Sequence, residues 1–354
     1  MAKVLIGMSG GVDSAVAAWL LKQQGHEVIG VTLRTWESDD GSESRCCEID
    51  DARRVAMRLG IPYYPLNSLR AFKEDVTDPF IREYLAGRTP NPCIRCNRYV
   101  KWERMLYFMN VLQADFIATG HYAGVIQMPN GHYTVQTAVH AEKDQTYMLY
   151  RLTQEQLART LMPLSGYSKE EVRAMAHKFD LAVAEKPDSQ ELCFVPTGTY
   201  GDFIRGQVPD KIPGEGDFVD ETGKVLGRHR GILHYTVGQR RGLGIAAGER
   251  IFVTEIRPEE NQVVLGPDES LYREEIRCTD LNFLSIPHPE PGTAFPCQVK
   301  IRYHHPAVPA EVTVLRDEAV IRFVSPVRAP APGQSAVFYD PQQCVIGGGV
   351  ILAT

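Results

Sequence analysis

No apolar run in this 354-residue chain approaches the roughly 18 residues that cross a bilayer. Its opening Met1-Ala2-Lys3 leads straight into the strand-like Val4-Leu5-Ile6, with no signal-peptide pattern. Both absences argue against a membrane or secreted protein and predict a cytoplasmic one. The 8 cysteines are too sparse for a disulfide framework, so each is read as catalytic, metal-binding or simply buried. Positive charge is also short: the net charge is −6 and the pI about 6.0, so a nucleic-acid partner could be held only by local basic clusters. Internal repeats and low-complexity tracts are missing too, which excludes solenoids and disordered tails. What is present is ordinary globular composition, 44% hydrophobic and 23% charged with mean hydropathy −0.22, over a length that favours two or three domains.

The first part alternates strand-like Val4–Gly7 and Val28–Leu33 with helix-like Ser14–Gln24 and Asp50–Leu59, and then turns extended over Pro62–Leu66. Such alternation predicts an α/β domain with a parallel sheet. Gly25 and Gly60 follow the two helical patterns where left-handed caps are wanted. A further helix is expected over Val100–Leu112, before the short strand Phe116–Thr119, with others at Gln154–Leu161 and Lys169–Phe179. Around Pro209–Gly216 helical periodicity gives way to short β-type runs, among them Arg250–Ile256, Gln262–Leu265, Ala294–Tyr303 and Ala336–Tyr339, which read as small all-β modules. The expected division is an N-terminal domain over 1–212, a central β-rich domain over 213–276 and a C-terminal β-barrel-like domain over 277–354.

Between the first strand and first helix lies Gly7-Met8-Ser9-Gly10-Gly11-Val12-Asp13-Ser14. Glycines there let backbone amides approach an anion, and the helix N-terminus favours phosphate. The turn has no lysine, so it is not a Walker A loop, and it lacks the Rossmann glycine spacing. A bland alternative is a small-residue turn that only packs the helix onto the sheet. Asp13 is a candidate Mg²⁺ ligand, because hard cations prefer carboxylate and phosphate oxygens; Ser9 and Ser14 are candidate phosphate donors. The string Ser9–Ser14 resembles the signature of the PP-loop ATP pyrophosphatases, which cleave ATP between the α and β phosphates and adenylate a substrate.

Two further segments carry cysteine: Arg88-Thr89-Pro90-Asn91-Pro92-Cys93-Ile94-Arg95-Cys96-Asn97 and Lys186-Pro187-Asp188-Ser189-Gln190-Glu191-Leu192-Cys193-Phe194. The first is expected to be a proline-restricted loop that delivers Cys96 just ahead of the Val100 helix, where Arg95 and Arg98 favour its thiolate. The spacing Cys93-x-x-Cys96 is also half of a zinc or iron–sulfur pattern, but the remaining candidates, Cys46-Cys47, are adjacent rather than spaced. Cys278, Cys297 and Cys344 sit in β-type apolar surroundings and are read as packing.

With the glycine turn, these two segments resemble the bacterial tRNA-specific 2-thiouridylase family. So do Ala118–Ala123, Lys143–Tyr147 and Tyr235–Gly244, and the likeness covers nearly the whole chain. It implies ATP-dependent exchange of the C2 oxygen of the tRNA wobble uridine for sulfur, giving 2-thiouridine, AMP and pyrophosphate. The cofactors implied are ATP, Mg²⁺ and a persulfide carried on Cys193. Cys96 is implied as the partner thiol, and the two thiols must come within disulfide reach during turnover. Two routes stay open: direct attack by the persulfide, or release of hydrosulfide by Cys96. Some members have an aspartate, proposed as acid/base, where this chain has Cys93.

Leu33 and Gly120 end strands where a parallel sheet holds adenine, and the resemblance assigns both to ATP. His121 is a candidate to orient phosphate or substrate, weighed against a purely structural histidine. Basic residues cluster as Arg95, Arg98, Lys101 and Arg104; as Arg228, His229, Arg230, Arg240 and Arg241; and as Lys300, Arg302, Tyr303, His304 and His305. These groups suggest a phosphate-tracking surface. The resemblance places Lys143, Asp144, Gln145 and Gln334 on tRNA, and an extruded uridine beside Asn91, Pro92, Cys93 and Cys96. The implied partners are tRNAs for Lys, Glu and Gln, and a cysteine desulfurase or sulfur-relay protein. The competing readings are a PP-loop amidotransferase or ligase acting on a small metabolite, and a noncatalytic tRNA-binding protein.

Overall fold

The computed structural model describes residues 1–37, 48–181, 183–186, 192–195, 198–245, 248 and 250–353. Its first strands are β1 (Lys3–Gly7), β2 (Glu27–Arg34), β3 (Tyr63–Asn67) and β4 (Phe116–Ala118). After a hairpin of β5 (Ala123–Gln127) and β6 (Tyr133–Thr137) comes the short β7 (Thr160–Leu161). Strands β3-β2-β1-β4-β7 form one sheet, parallel throughout. Val4, Leu5 and Ile6 are wholly buried, as an unbroken apolar run in a sheet covered on both faces must be. On one face the helices α1 (Val12–Gln23) and α2 (Ile49–Leu59) pack with Val4, Ile6 and Val28. The other face buries Leu5, Ile29 and Val31 against Trp102, Met105 and Met109. Gly25 (φ 81°) and Gly60 (φ 63°) take the left-handed conformation that ends each helix.

One helix differs from expectation, and it carries a candidate thiol. Instead of a loop up to Val100, the helical run opens at Pro92 as Pro92–Arg95, widens to a π-helical turn over Cys96–Trp102 and ends as Glu103–Val111. Asn91 caps it, its side-chain oxygen accepting from the Cys93 amide at 3.1 Å, and Pro92 takes the first helical position, where its fixed φ fits and its missing N–H is no loss. The two prolines that read as loop-makers therefore start a helix, and Cys96 sits in its second turn.

The rest of the chain is β-rich, in two units. Strands β8 (Gly216–Asp220), β9 (Val225–His229), β10 (Phe252–Arg257) and β11 (Gln262–Gly266) make a four-stranded sheet in the order β10-β11-β8-β9. A closed six-stranded barrel follows: β12 (Tyr272–Phe283), β13 (Ala294–Lys300), β14 (Val308–Val314), β15 (Glu318–Arg328), β16 (Ser335–Tyr339) and β17 (Val345–Ile351). Its first strand starts at Tyr272, so the division drawn after residue 276 falls inside β12. The barrel is joined to the parallel-sheet domain through buried polar groups. Tyr147 donates to the Ser335 carbonyl at 2.9 Å, and Asn282 donates to the Tyr150 carbonyl at 2.6 Å. Gly348 lies so close to the Tyr150 ring that a Cβ would come within 2.8 Å. Among the described residues no helix is long and apolar enough to cross a membrane.

Candidate active site: a phosphate cradle and a thiol cluster

In the sheet order, β2 and β3 run out from one side of β1 while β4 and β7 run out from the other. The crevice beyond the carboxyl ends of β1 and β4 is the switch point where such sheets take ligands. The glycine turn fills it. Met8 still belongs to the sheet, its amide donating to Val31 at 2.7 Å. Ser9 then leaves it, with its amide on Ser14 Oγ at 3.1 Å, and Ser14 Oγ donates to the Gly11 carbonyl at 3.2 Å. Gly10 is left-handed at φ 78°, and a Cβ there would lie 2.7 Å from the Glu48 carbonyl. No side chain caps α1 behind Gly11, so its first amides face the crevice without a side-chain acceptor. From the other strand Gly120 closes in: a Cβ would stand 2.7 Å from the Ser14 amide and 2.8 Å from the Asp13 carbonyl carbon. Leu33, next to last in β2, is buried. These features favour an anion cradle over a mere packing turn.

The lysine missing from the turn arrives from elsewhere. Lys169, buried at the first position of the helix Lys169–Lys178, places Nζ 2.7 and 2.9 Å from the two Asp13 carboxylate oxygens, while Tyr122 donates to Asp13 at 2.7 Å. Lys186 donates to the Gly10 carbonyl at 3.2 Å and to Asp51 at 2.6 Å, and also pairs with Glu48. Burial lowers the pKa of Lys186. Sequence reading missed Lys169 and took Lys186 only as part of the Cys193 segment, because each lies more than 150 residues from its partner in the turn. Lys169 also bears on Mg²⁺: with its ammonium on both Asp13 oxygens and Tyr122 on Oδ1, the carboxylate fits a divalent cation poorly in this arrangement.

The two candidate thiols share one apolar cluster. Cys96 is 7% exposed among Phe72, Val76, Phe80, Val100 and Phe194, and Cys193 packs half-buried against the same cluster. Cys93 is exposed. Pro187 to Glu191 lie outside the described residues, as do Cys46 and Cys47. Among the described residues, no three His, Cys, Asp or Glu side chains form a group able to hold a metal ion. The arginines near Cys96 are already engaged. Arg95 donates to the Asp75 carbonyl at 2.7 Å, Arg98 pairs with Glu103, and both guanidinium groups lie about 5 Å from the Tyr99 ring centre. Cys278 and Cys297 are buried in the barrel core, where desolvation pushes both thiols up to about 12 and keeps them protonated; Cys344 is likewise pushed up to about 11.

The barrel comes to the thiol segment from the other side. Gln334 donates to the Thr89 carbonyl at 2.7 Å, and Thr89 donates its amide to Pro332 at 2.7 Å, two residues before Asn91. Arg302, Tyr303 and Gln334 line a cleft of about 400 Å³; a second of similar size joins Asp144 to Lys300, Tyr303 and Tyr339. Several candidates, in these clefts and outside them, already have structural bonds. Asp144 is buried and accepts from Thr146 Oγ1 at 2.7 Å; desolvation raises its pKa. Gln145 accepts from the Tyr122 amide at 3.0 Å. Arg302 donates to the carbonyls of Val237 at 3.0 Å and Ala329 at 2.5 Å, tying the central sheet to the barrel, and burial lowers its pKa. His121 bonds Thr119 Oγ1 at 2.9 Å and lies beside Trp102, and desolvation with the nearby Lys101 pushes it down to about 3, so it is neutral at pH 7. Within the second basic group His229 turns into the core, bonded to Asn261 and Gly231, while Arg228 stays exposed and pairs with Asp217.

The fold and site together define a phosphate-cradling α/β protein with paired thiols, backed by two β units. Three family models follow one another along it: the tRNA methyl transferase HUP domain over residues 2–197, the tRNA methyl transferase PRC-barrel domain over 201–267 and the aminomethyltransferase beta-barrel domain over 273–351. The chain is 50% identical to the tRNA-specific 2-thiouridylase MnmA of Lachnoclostridium phytofermentans, over 99% of this chain and 100% of that one. It is 47% identical to the protein of the same name from Clostridium acetobutylicum, over 99% of each, and 48% identical to that of Desulfitobacterium hafniense, over 99% of this chain and 98% of that one. The chain belongs to the tRNA-specific 2-thiouridylase family.

Proposed function

We propose that this protein is a tRNA-uridine 2-sulfurtransferase that uses ATP to replace the C2 oxygen of the wobble uridine with sulfur. The observation that carries the reading is the meeting of Cys96 and Cys193 in one apolar cluster, although they lie almost 100 residues apart. The C2 oxygen attacks the α-phosphate of ATP and pyrophosphate leaves, so the carbon then carries a good leaving group. Backbone amides of the Ser9–Ser14 turn supply the positive potential for that step, while Lys169 offsets the Asp13 carboxylate beside them. Mg²⁺ would enter with the nucleotide phosphates and screen their charge. Sulfur reaches C2 from a persulfide on Cys193. Either the outer sulfur attacks C2, expelling AMP, and Cys96 then attacks the Cys193 Sγ; or Cys96 attacks first and the released hydrosulfide attacks C2. Both routes leave 2-thiouridine on the tRNA and a Cys96–Cys193 disulfide on the protein.

Asn91, Pro92 and Cys93 would meet the extruded uridine. The clefts at Asp144, Arg302, Tyr303 and Gln334, with Lys143, Gln145 and His121, would receive the surrounding RNA. tRNAs for Lys, Glu and Gln are the substrates this reading gives. A cysteine desulfurase or a sulfur-relay protein would load Cys193. The label of two family models favours a second reading, transfer of a methyl group. One experiment separates the two: nucleosides from tRNA incubated with the protein, Mg-ATP and a small persulfide donor are read by mass spectrometry. The expected product is 2-thiouridine, with AMP and pyrophosphate released in step. Unmodified uridine, or a methylated nucleoside, would refute the proposal.

A further inference from the structure

Sulfur transfer leaves a problem at the thiol cluster. On the reading above, which this inference rests on, each turnover ends in a Cys96–Cys193 disulfide, and Cys96 lies at 7% exposure within an apolar cluster. Exchange requires a thiolate to reach a disulfide sulfur, so burial there slows reduction from solvent. The helical run from Pro92 supplies a way out. Cys93 and Cys96 lie three positions apart and so share one helix face, but with opposite exposure, Cys93 at the surface and Cys96 beneath it. Neighbours at this spacing hold their Cβ atoms about 5–6 Å apart. A disulfide wants about 3.5–4.5 Å, so bridging them closes the first turn by roughly 1–2 Å. A bond made under that strain is readily reduced, as a bond meant to be transient must be.

We propose that Cys93 is the exchange thiol that resets the enzyme. Its thiolate attacks Cys96 Sγ. The Cys93–Cys96 bond forms as the Cys96–Cys193 bond breaks, and the electron pair leaves on Cys193 Sγ, which takes up a proton and stands ready for the next sulfur. No net oxidation occurs in this step. The two electrons come afterwards from an external dithiol, which attacks the exposed Cys93 sulfur.

The test loads Cys193 with a small persulfide donor, removes the donor, and starts the reaction with tRNA and Mg-ATP without reductant. After an acid quench and alkylation, disulfide-linked peptides are mapped by mass spectrometry and counted per AMP released, so that a slower first transfer does not alter the readout. Wild type is expected to hold a measurable fraction of Cys93–Cys96 beside Cys96–Cys193, the strained bond being the less favoured of the two at equilibrium. Cys93→Ser, and Cys93→Ala as a second variant, should hold Cys96–Cys193 alone. When dithiothreitol is added, their disulfide should be reduced at least about tenfold more slowly than in wild type, because access limits exchange. A wild type that holds only Cys96–Cys193, or variants that reset at the wild-type rate, overturns the exchange role and leaves the transfer reading standing. Thiolation by wild type with no disulfide at all overturns both.

Discussion

The hydroxyl bonds that shape the glycine turn span five residues or fewer, whereas the cluster around the thiols draws on residues from Phe72 to Leu233. The cradle is formed by neighbours in the chain: Ser9 and Ser14 fix the turn, Gly10 supplies its left-handed step, and α1 presents its first amides. The thiol cluster exists only because the helical run from Pro92, the segment around Phe72–Tyr84 and the residues Leu192–Val195 pack together. A site built locally should tolerate changes in the distant cluster, while a site built from remote segments depends on how they dock. Nucleotide binding and sulfur transfer should therefore be separable by mutation.

The sharpest break of that comparison is Cys193→Ser. Thiolation should fall by about 10³-fold or more, as when a nucleophile is deleted, with ATP binding by calorimetry unchanged. Loss of both would mean that the regions are coupled. Next in size is Gly120→Ala, whose new Cβ must displace the start of α1 at 2.7 Å from the Ser14 amide. Overpacking of this kind costs about 1–3 kcal/mol, so ATP affinity should drop by roughly tenfold or more. Gly25→Ala is the control: it meets nothing within 4 Å, and should lose a little stability to its positive φ while leaving ATP affinity alone. Lys169→Met removes the ammonium from Asp13. Because Asp13 is 33% exposed, the loss should be about 2 kcal/mol in urea unfolding rather than the roughly 3–5 kcal/mol of a fully buried pair, and Asp13→Asn in the same chain should recover part of it.

The smallest effect concerns His121. Its folded pKa, pushed down to about 3, lies below the unfolded value near 6.5, so its contribution to stability is complete above pH 6.5 and is lost as pH falls from there toward 3. The drop in urea midpoint between pH 7 and pH 5 should therefore be smaller in His121→Gln than in wild type. An unchanged drop would show that the ring protonates in place.

Much of the cradle could be read in advance because its signals are short. Val4-Leu5-Ile6 is apolar on both faces, Gly25 and Gly60 mark helix ends, and Ser9–Ser14 carries its own hydrogen bonds. The helix expected over Val100–Leu112 forms, but its expected start was wrong because Pro90 and Pro92 serve loops and helix starts alike; the Asn91 cap decides between them. The grouping of Arg228 with His229 failed for another reason, since adjacent residues of β9 point to opposite faces and His229 goes into the core. Nothing in the sequence around Lys169 or Lys186 points to the glycine turn.

Sequence alone determined the parallel α/β opening, the lysine-free phosphate turn and the β-rich second half, because strand period, glycine conformation and helix starts are governed by interactions within a few residues. Only the tertiary structure decided that Lys169 and Lys186 stand at that turn, that Cys96 and Cys193 share a cluster, and that the barrel's Gln334 reaches Thr89 beside them. Those contacts join segments from about 100 to almost 250 residues apart, and their partners are selected by burial and by the need to satisfy buried polar groups, which no local stretch encodes.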